Sequence, residues 1–310
     1  MDALDIRIVR TMGIQPYGRS PKTLEALRPS VIAKKLGVST ELVRDRVARM
    51  EKSGLIGGYD AYPNHRQLGV EVAWFYKQFD NEDTVDAALE KLEPAEGVGV
   101  CCAFVGGLTC LSLVYRAQAE LERRLRLVHA LAGGGDFRRL FDPELPNVGR
   151  ALTALDWRIL RSLRVGANRP VGEVAKELRV SSKTVKRHLD RMAREGSLFV
   201  IPEFDPSRAE GLIFFYLLLQ VEGEPGSVLS AVHRAFDDHL VSADTLTARE
   251  LGTHLLLLAA KSMAQVESLR RKALAVRGVS QARPLMFRAA NENFSWIDEA
   301  IEDRLRMLAR

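Results

Sequence analysis

Two short segments of the chain concentrate hydroxyl groups and basic side chains. The residues are Ser39, Thr40, Glu41, Arg44, Asp45 and Arg46 in the first segment, and Ser181, Ser182, Lys183, Lys186, Arg187 and His188 in the second. Hydroxyl, ammonium and guanidinium groups bind phosphate oxygens, and arginine and lysine also reach the acceptor atoms of guanine in the DNA major groove. The sequence therefore offers two candidate surfaces for nucleic acid.

The two surfaces differ in their acidic residues. Glu41 and Asp45 stand only in the first segment. On DNA they would either accept hydrogen bonds from cytosine amino groups or weaken the attraction to phosphate. We therefore expect the second segment to bind DNA more strongly and less selectively. The predicted contacts are Ser39, Thr40, Arg44, Arg46, Ser181, Ser182, Lys183, Lys186 and Arg187.

Each segment is predicted to lie on the third helix of a helical triad. Apolar residues at helical spacing predict first helices near residues 2–12 and 153–163, and second helices near 30–36 and 171–178. Ser39 and Ser181 stand where an N-cap belongs, and Gly54 and Gly196 suit the ends of the third helices. The apolar run after each glycine predicts a short pair of strands, which is a wing.

The two triads resemble each other. Nine of 25 positions are identical between residues 32–56 and 174–198, and residues 4–10 are echoed by residues 155–161. The two offsets differ by nine, so the first copy carries nine extra residues within positions 13–30. The pattern predicts a tandem duplication.

A β-α-β-β-α-β order follows each triad, which is typical of a ferredoxin-like fold. The predicted fold class is α+β, with two winged helix-turn-helix domains, each followed by a ferredoxin-like domain. The predicted domains are winged helix-turn-helix domains at 1–62 and 151–205, ferredoxin-like domains at 63–145 and 206–291, and a C-terminal helix at 292–310. Residues 144–149 are predicted to link the halves.

Charge is distributed unevenly along the 310 residues. The net charge is +5, yet residues 1–60 carry +4 and residues 152–201 carry +6, which leaves −5 for the remainder. Positive charge confined to the triads favours DNA binding by these parts alone. The sequence shows no apolar stretch of membrane-spanning length and no secretory signal, so we expect a cytoplasmic protein.

The residues of the first triad and of the segment after it resemble the N-terminal domain of the Lrp/AsnC (feast/famine) transcription regulators. The resemblance rests on Leu4-Asp5 with Ile8, the run Ile32–Ser39, Val43, Arg46-Val47, Arg49-Met50 and the run Gly54–Tyr59. It implies sequence-specific binding of double-stranded DNA, pairing of the ferredoxin-like sheets, and control by a small molecule, often an amino acid. Because family members usually have about half this length, one chain here would supply both halves of a dimer, and two such chains a dimer of pseudodimers.

The chain departs from this pattern at several positions. Arg46 and Gly37 of the first triad are matched by His188 and Arg179 in the second. Where the family shows a glycine followed three residues later by an aspartate, this chain has Gly107 with Cys110 and Gly252 with Leu255. These four residues are the candidate effector site, and the missing carboxylate argues against an amino-acid effector.

Two other classes of function remain as alternatives. Siroheme decarboxylases combine the same two folds, and His254 with Arg249, or His129 with Arg116, are the residues that could act on tetrapyrrole carboxylates. The six histidines form no motif, and the sequence lacks CxxC, HExxH and GxSxG patterns, so we expect no enzymatic activity, no cofactor and no metal. The third class is a protein-interaction module whose triads bind other proteins.

Three cysteines, Cys101, Cys102 and Cys110, are too few for a disulfide framework. Neighbouring residues of a strand point to opposite faces, so Cys101 and Cys102 make a poor pair for a metal or a disulfide. We expect buried structural thiols.

Overall fold

The computed structural model describes residues 1–14, 25–143, 145–242, 245–248 and 252–309. The chain divides into two compact units. The helix-turn-helix unit consists of Met1–Gly69, Glu144–Glu210 and Ile297–Arg310, and the sheet unit consists of Val70–Pro143 and Gly211–Trp296. Each unit therefore takes residues from both halves of the sequence, while the five consecutive domain ranges given above stay a prediction.

Twelve α-helices and ten strands are described within these ranges. The first half contains α1 (Ala3–Met12), α2 (Pro29–Leu36), α3 (Thr40–Lys52), β1 (Ile56–Pro63), α4 (His65–Leu68), β2 (Glu71–Gln78), α5 (Glu82–Leu92), β3 (Val98–Phe104), β4 (Leu108–Tyr115), α6 (Gln118–Leu131) and β5 (Arg138–Phe141). The second half contains α7 (Ala154–Ser162), α8 (Val171–Leu178), α9 (Ser182–Arg194), β6 (Leu198–Phe204), β7 (Ile213–Val221), α10 (Pro225–Ala235), β8 (Leu246–Ala248), β9 (Thr253–Ala260), α11 (Met263–Leu274), β10 (Val279–Glu292) and α12 (Ser295–Leu308).

The helices of the first triad (α1–α3) and of the second triad (α7–α9) each bury one apolar stripe. Ile8, Ile32 and Val43 are fully buried in the first triad, and Ile159, Val174 and Val185 are their counterparts in the second. Burying an aliphatic side chain of this size contributes roughly 1.5–3 kcal/mol. The remaining faces of the third helices are left for solvent or for a ligand.

The strands that follow the triads correct the predicted wings. Each triad is followed by one strand rather than a hairpin, and β1 pairs with β6 in an antiparallel ribbon in which Tyr59 faces Pro202 and Pro63 faces Leu198. The two strands lie about 140 residues apart in the sequence, so local pattern gave no indication of their pairing. The ribbon joins the two triads inside the helix-turn-helix unit.

The sheet unit holds one eight-stranded antiparallel sheet in the order β5-β2-β4-β3-β10-β7-β9-β8. Each half supplies four strands in the β-α-β-β-α-β order. The prediction of two separate sheets is wrong, because the strands of both halves form one sheet. β10 extends to 14 residues, and after pairing with β7 it continues past Phe287 to pair with β3. The outermost strands, β5 and β8, also approach each other, so the sheet curls toward a closed barrel.

Three apolar clusters hold the sheet unit together. One lies under α5 and α6, one under α10 and α11, and the third lies on the opposite face of the sheet. Cys101 belongs to the first cluster, whereas Cys102 and Cys110 belong to the third, so the opposite orientation of the adjacent cysteines is confirmed. Burial raises the pKa of the Cys101 and Cys110 thiols to about 12.

Some expectations fall outside the described residues. They include residues 15–24 of the predicted insertion, Arg249 and the start of the linker at Glu144. Within the described ranges, no group of histidine, cysteine, aspartate and glutamate side chains could hold a metal ion. The described helices also include none with the length and apolar character to cross a membrane.

Candidate nucleic-acid interface

Both third helices begin at the serine that the sequence predicts. The Ser39 Oγ accepts a hydrogen bond from the Leu42 backbone N–H at 3.2 Å, and the Ser181 Oγ accepts one from the Thr184 N–H at 3.1 Å. These bonds satisfy amide groups that the first turn of a helix leaves free. The predicted DNA contacts Ser39 and Ser181 thus serve as N-caps, and the Ser181 Oγ also lies 2.8 Å from the Thr184 Oγ1.

Most of the predicted DNA contacts lie on the surface. Ser39, Arg44, Ser181, Ser182, Lys183, Lys186 and Arg187 are exposed, and Thr40 is half-buried. In the described part of the chain, Lys183, Lys186 and Arg187 form no ion pair with another residue. The exposed face of α9 is therefore mainly cationic and its lysines and Arg187 are without ion pairs to described residues. On α3, Glu41 and Asp45 are exposed beside Arg44.

Arg46 and His188 differ from the other predicted surface residues. The Arg46 side chain is 22% exposed and donates to Asp2 at 2.5 Å and to Asp5 at 3.1 Å. The His188 side chain is 11% exposed, and its Nδ1 lies 2.6 Å from Asp156 Oδ1. Their expected place on an open face is thus not observed, because each binds an aspartate of the first helix in its own triad.

A buried carboxylate fixes the third helix of each triad. Asp5 is 1% exposed and also accepts from Arg49 at 3.0 Å, and Asp156 is fully buried and also pairs with Arg191. Burial opposes ionisation of Asp156, but hydrogen bonds from Thr153 and His188 and the charge of Arg191 outweigh it, so its pKa is lowered. The two aspartates occupy matching positions of the repeat, but their ion pairs with the third helices were not predicted from the sequence.

The turn before each third helix requires a left-handed residue. Gly37 has φ 68° and ψ 33° after α2, and Arg179 has φ 56° and ψ 44° after α8. In both turns the next residue closes the helix, by bonds from Val38 N–H to Ala33 O at 3.1 Å and from Val180 N–H to Ala175 O at 3.0 Å. A non-glycine residue in this conformation costs about 1–2 kcal/mol.

The candidate effector residues lie in the sheet unit. Cys110 and Leu255 are buried in the same apolar cluster, on the sheet face opposite the helices. Gly107 is buried in the turn between β3 and β4, where a Cβ would collide with the Phe79 carbonyl oxygen. Gly252 is exposed at the start of β9. The structure therefore brings two of the four residues together. The close approach of the Phe79 backbone explains why residue 107 is a glycine, and no ligand is needed to explain it.

The histidines considered for catalysis are held by their own neighbours. The His129 Nε2 accepts from the Phe137 backbone N–H at 3.1 Å, and its ring stacks on that of Phe137. The His254 Nδ1 lies 3.1 Å from the Thr247 Oγ1, and burial lowers the pKa of this histidine. Arg116 is exposed, and Arg249 lies outside the described residues. Packing accounts for both rings.

Comparison with known proteins identifies the second triad. Residues 152–196 match the family model described as winged helix-turn-helix DNA-binding. The chain is also similar to the HTH-type transcriptional regulator Ptr1 of Methanocaldococcus jannaschii, with 29% identity over 98 residues. That alignment covers 32% of this chain and 60% of the relative. These findings support a winged helix-turn-helix at residues 152–196, and the alignment spans less than two thirds of the relative's length.

Two solved structures match nearly the whole chain. The siroheme decarboxylase NirDL in complex with an iron-uroporphyrin III analogue is 15% identical with a TM-score of 0.58 and covers 99% of both chains. A second NirDL structure is 16% identical with a TM-score of 0.56 and covers 97% of this chain and 99% of its own. At this identity the match shows a shared fold. The expectation of no enzymatic activity is nevertheless contradicted, because the whole-chain fold is one that an enzyme uses.

Proposed function

We propose that this chain is a sequence-specific, DNA-binding transcriptional regulator of Lrp/AsnC type, formed by tandem duplication, in which α3 and α9 contact the DNA. One observation carries the proposal. The segment that matches the winged helix-turn-helix family model presents Lys183, Lys186 and Arg187 to solvent on its third helix, without ion pairs to described residues.

Charge supports an unequal role for the two triads. Anionic DNA is attracted by uncompensated cations, and each phosphate neutralised makes binding steeply salt-dependent. On α9 the exposed cations have no acidic neighbour in the first turn, whereas α3 carries Glu41 there. We propose that α9 supplies most of the affinity and α3 part of the selectivity.

The first experiment removes the cations of α9. The triple variant Lys183→Ala, Lys186→Ala and Arg187→Ala should bind duplex DNA more weakly, and the slope of log affinity against log salt should become less steep by about 2.7, at about 0.9 per phosphate. Fluorescence anisotropy over a salt series measures both quantities. The fold should be unchanged by circular dichroism, because the three side chains are exposed.

A matched control removes three cations from the sheet unit. Arg123, Arg271 and Arg277 are exposed there, and their replacement by alanine lowers the net charge by the same amount. We expect the control to keep the salt slope of the parent protein. Equal losses in both triple variants would contradict a role for α9, and a slope near zero for the parent on every duplex would favour a protein-binding module.

Sequence specificity is tested by selecting bound duplexes from a random pool. A regulator that uses both triads should enrich a motif of two unequal half-sites, because the exposed residues of α3 and α9 differ. An unenriched pool would contradict sequence-specific binding. We also propose that the chain forms homo-oligomers, which light scattering would detect. A small-molecule effector would raise the melting temperature in a thermal-shift assay with candidate ligands.

A second candidate function is decarboxylation of a tetrapyrrole. It is favoured by one observation, the match of the whole chain to the NirDL fold over 99% of both chains. Titration with siroheme, followed by visible absorption and release of carbon dioxide, tests it. A shifted tetrapyrrole absorption band with carbon dioxide release would establish this function, and an unchanged spectrum would remove it.

A further inference from the structure

Arg179 breaks a local rule of backbone conformation. Among the described residues it is the one non-glycine residue with positive φ. The turn needs a left-handed residue at this point, and glycine adopts that conformation without the steric conflict of a Cβ atom. Gly37 makes the equivalent turn in the first triad with nearly the same φ and ψ. The fold therefore has no need of an arginine here.

The arginine side chain brings no compensating contact inside the described structure. Arg179 is exposed, and no side-chain hydrogen bond or ion pair joins it to another described residue. Arg169, just before the second helix of the same triad, contrasts with it, because that side chain binds Glu173 at 3.6 Å and Glu177 at 3.0 Å. Positions that break a local preference without an internal gain are candidates for function.

The place of Arg179 suggests which function. It stands two residues before the N-cap Ser181 and four before Lys183, so its charge extends the cationic surface of α9 onto the preceding turn. When a third helix enters the major groove, the groups at its flanks meet the phosphate backbone. The forked donors of a guanidinium match two phosphate oxygens at once.

We propose that Arg179 contacts a DNA phosphate from the turn before α9, and that this contact is the reason for an arginine in a left-handed conformation. This inference rests on the proposed function. It gives the second triad an anchor that Gly37 cannot give the first, which makes the two triads unequal in their hold on the DNA backbone.

The test is the variant Arg179→Gly, which copies the turn of the first triad. We expect affinity for duplex DNA to fall about tenfold, as for loss of a charge-assisted hydrogen bond, and the salt slope to decrease by about 0.9. The melting temperature should rise, because glycine relieves the backbone strain. A merely structural residue would not give opposite changes in stability and binding.

Two further variants serve as controls. Arg306→Ala removes one exposed cation from α12 and should leave affinity within about twofold of the parent. Arg179→Lys keeps both the charge and the backbone strain, so it should keep the melting temperature and most of the salt slope.

The outcomes separate this inference from the proposed function. If the parent binds with a salt-dependent affinity and Arg179→Gly binds equally well, the Arg179 contact is refuted while the regulator stands. Equal losses in Arg179→Gly and Arg306→Ala would reduce the effect to net charge and also refute it, as would a fall in melting temperature. A parent protein that binds no duplex overturns both proposals.

Discussion

Two buried aspartates determine where the third helices lie. Asp5 holds Arg46 and Arg49 of α3, and Asp156 holds His188 and Arg191 of α9. Both carboxylates also accept from the backbone N–H at the start of their own helix, at 3.0 Å and 2.8 Å. One side chain therefore ties the beginning of the first helix to the flank of the third.

Replacing Asp156 by asparagine should destabilise the protein by about 1.5–3 kcal/mol, because it removes the charged acceptor that His188 and Arg191 share and leaves Arg191 only the ion pair with Glu195 at 3.9 Å. Urea unfolding at neutral pH measures the change. The lowered pKa of Asp156 means that its contribution is present above the pKa of the unfolded chain and is lost as the pH falls through the folded value. In the Asp156→Asn variant, the free energy of unfolding should lack this contribution to its pH dependence.

His188→Arg is the matched control, since it copies the pairing of Arg46 with Asp5. It should preserve stability, because an arginine at this position keeps a donor to Asp156. An Asp156→Asn variant as stable as the parent would show that the carboxylate is dispensable.

The N-caps of these helices were predictable from serine and its position, but the ion pairs were not, because their partners lie 32 to 44 residues away.

At the scale of elements, sequence periodicity predicted the helices and most strands well. The second helix of the second triad, residues 171–178, was predicted with its observed limits. Local pattern failed where distant segments decide the outcome. Two separate wings were predicted, but β1 and β6 form one ribbon because each pairs with a strand from the other half. β10 is longer than predicted because it pairs with both β7 and β3.

The C-terminal helix α12 is an integral element of the helix-turn-helix unit. Ile297 and Ile301 are buried, and Arg164 of the segment after α7 lies 3.1 Å from Asp298 and 3.3 Å from Asp60 of β1. Burial raises the pKa of Asp60 despite the nearby Arg164 guanidinium. The helix thus packs through an apolar face and an ion-pair cluster.

Truncation of this apolar face should be costly. Ile301→Ala should lower the free energy of unfolding by about 2–5 kcal/mol, because it removes buried methyl groups and leaves a cavity. Met307 on the same helix is 56% exposed, and Met307→Ala should change stability by less than about 0.5 kcal/mol. Chemical denaturation compares the two. Similar effects in both variants would show that α12 contributes little packing energy.

At the scale of the molecule, each compact unit is assembled from both halves of the chain. Net charge and the repeat indicated two basic parts and a less basic remainder, which agrees with a helix-turn-helix unit and a sheet unit. The pairings that build the units, β1 with β6 and β3 with β10, were not predictable, because strands that differ this widely in sequence position leave no common pattern.

The stability of the whole molecule should depend on pH through His65. Burial lowers the pKa of His65 in α4 to about 4, from an ordinary value of 6.5. Between pH 6.5 and 4, His65 is therefore protonated in the unfolded chain but neutral in the folded chain. The free energy of unfolding should fall by about 3 kcal/mol as the pH drops across this range. Thermal unfolding across this range measures the loss.

His65→Gln should remove this component of the pH dependence, whatever its effect on stability at neutral pH. The acid sensitivity from Asp156 lies lower on the pH scale, because its pKa is below the ordinary aspartate value. A variant with the same stability profile as the parent between pH 6.5 and 4 would show that another group titrates there.

The ribbon of β1 and β6 has a consequence for the integrity of the polypeptide. Chain cleavage after Gly149 leaves every strand pairing in place, since the bonds between β1 and β6 and between β3 and β10 join residues on either side of the cut. Each fragment alone would leave strand edges without their hydrogen-bond partners, and such edges pair with strands of other chains. Separate fragments would precipitate or self-associate, and fragments made together would reconstitute one particle without a covalent link.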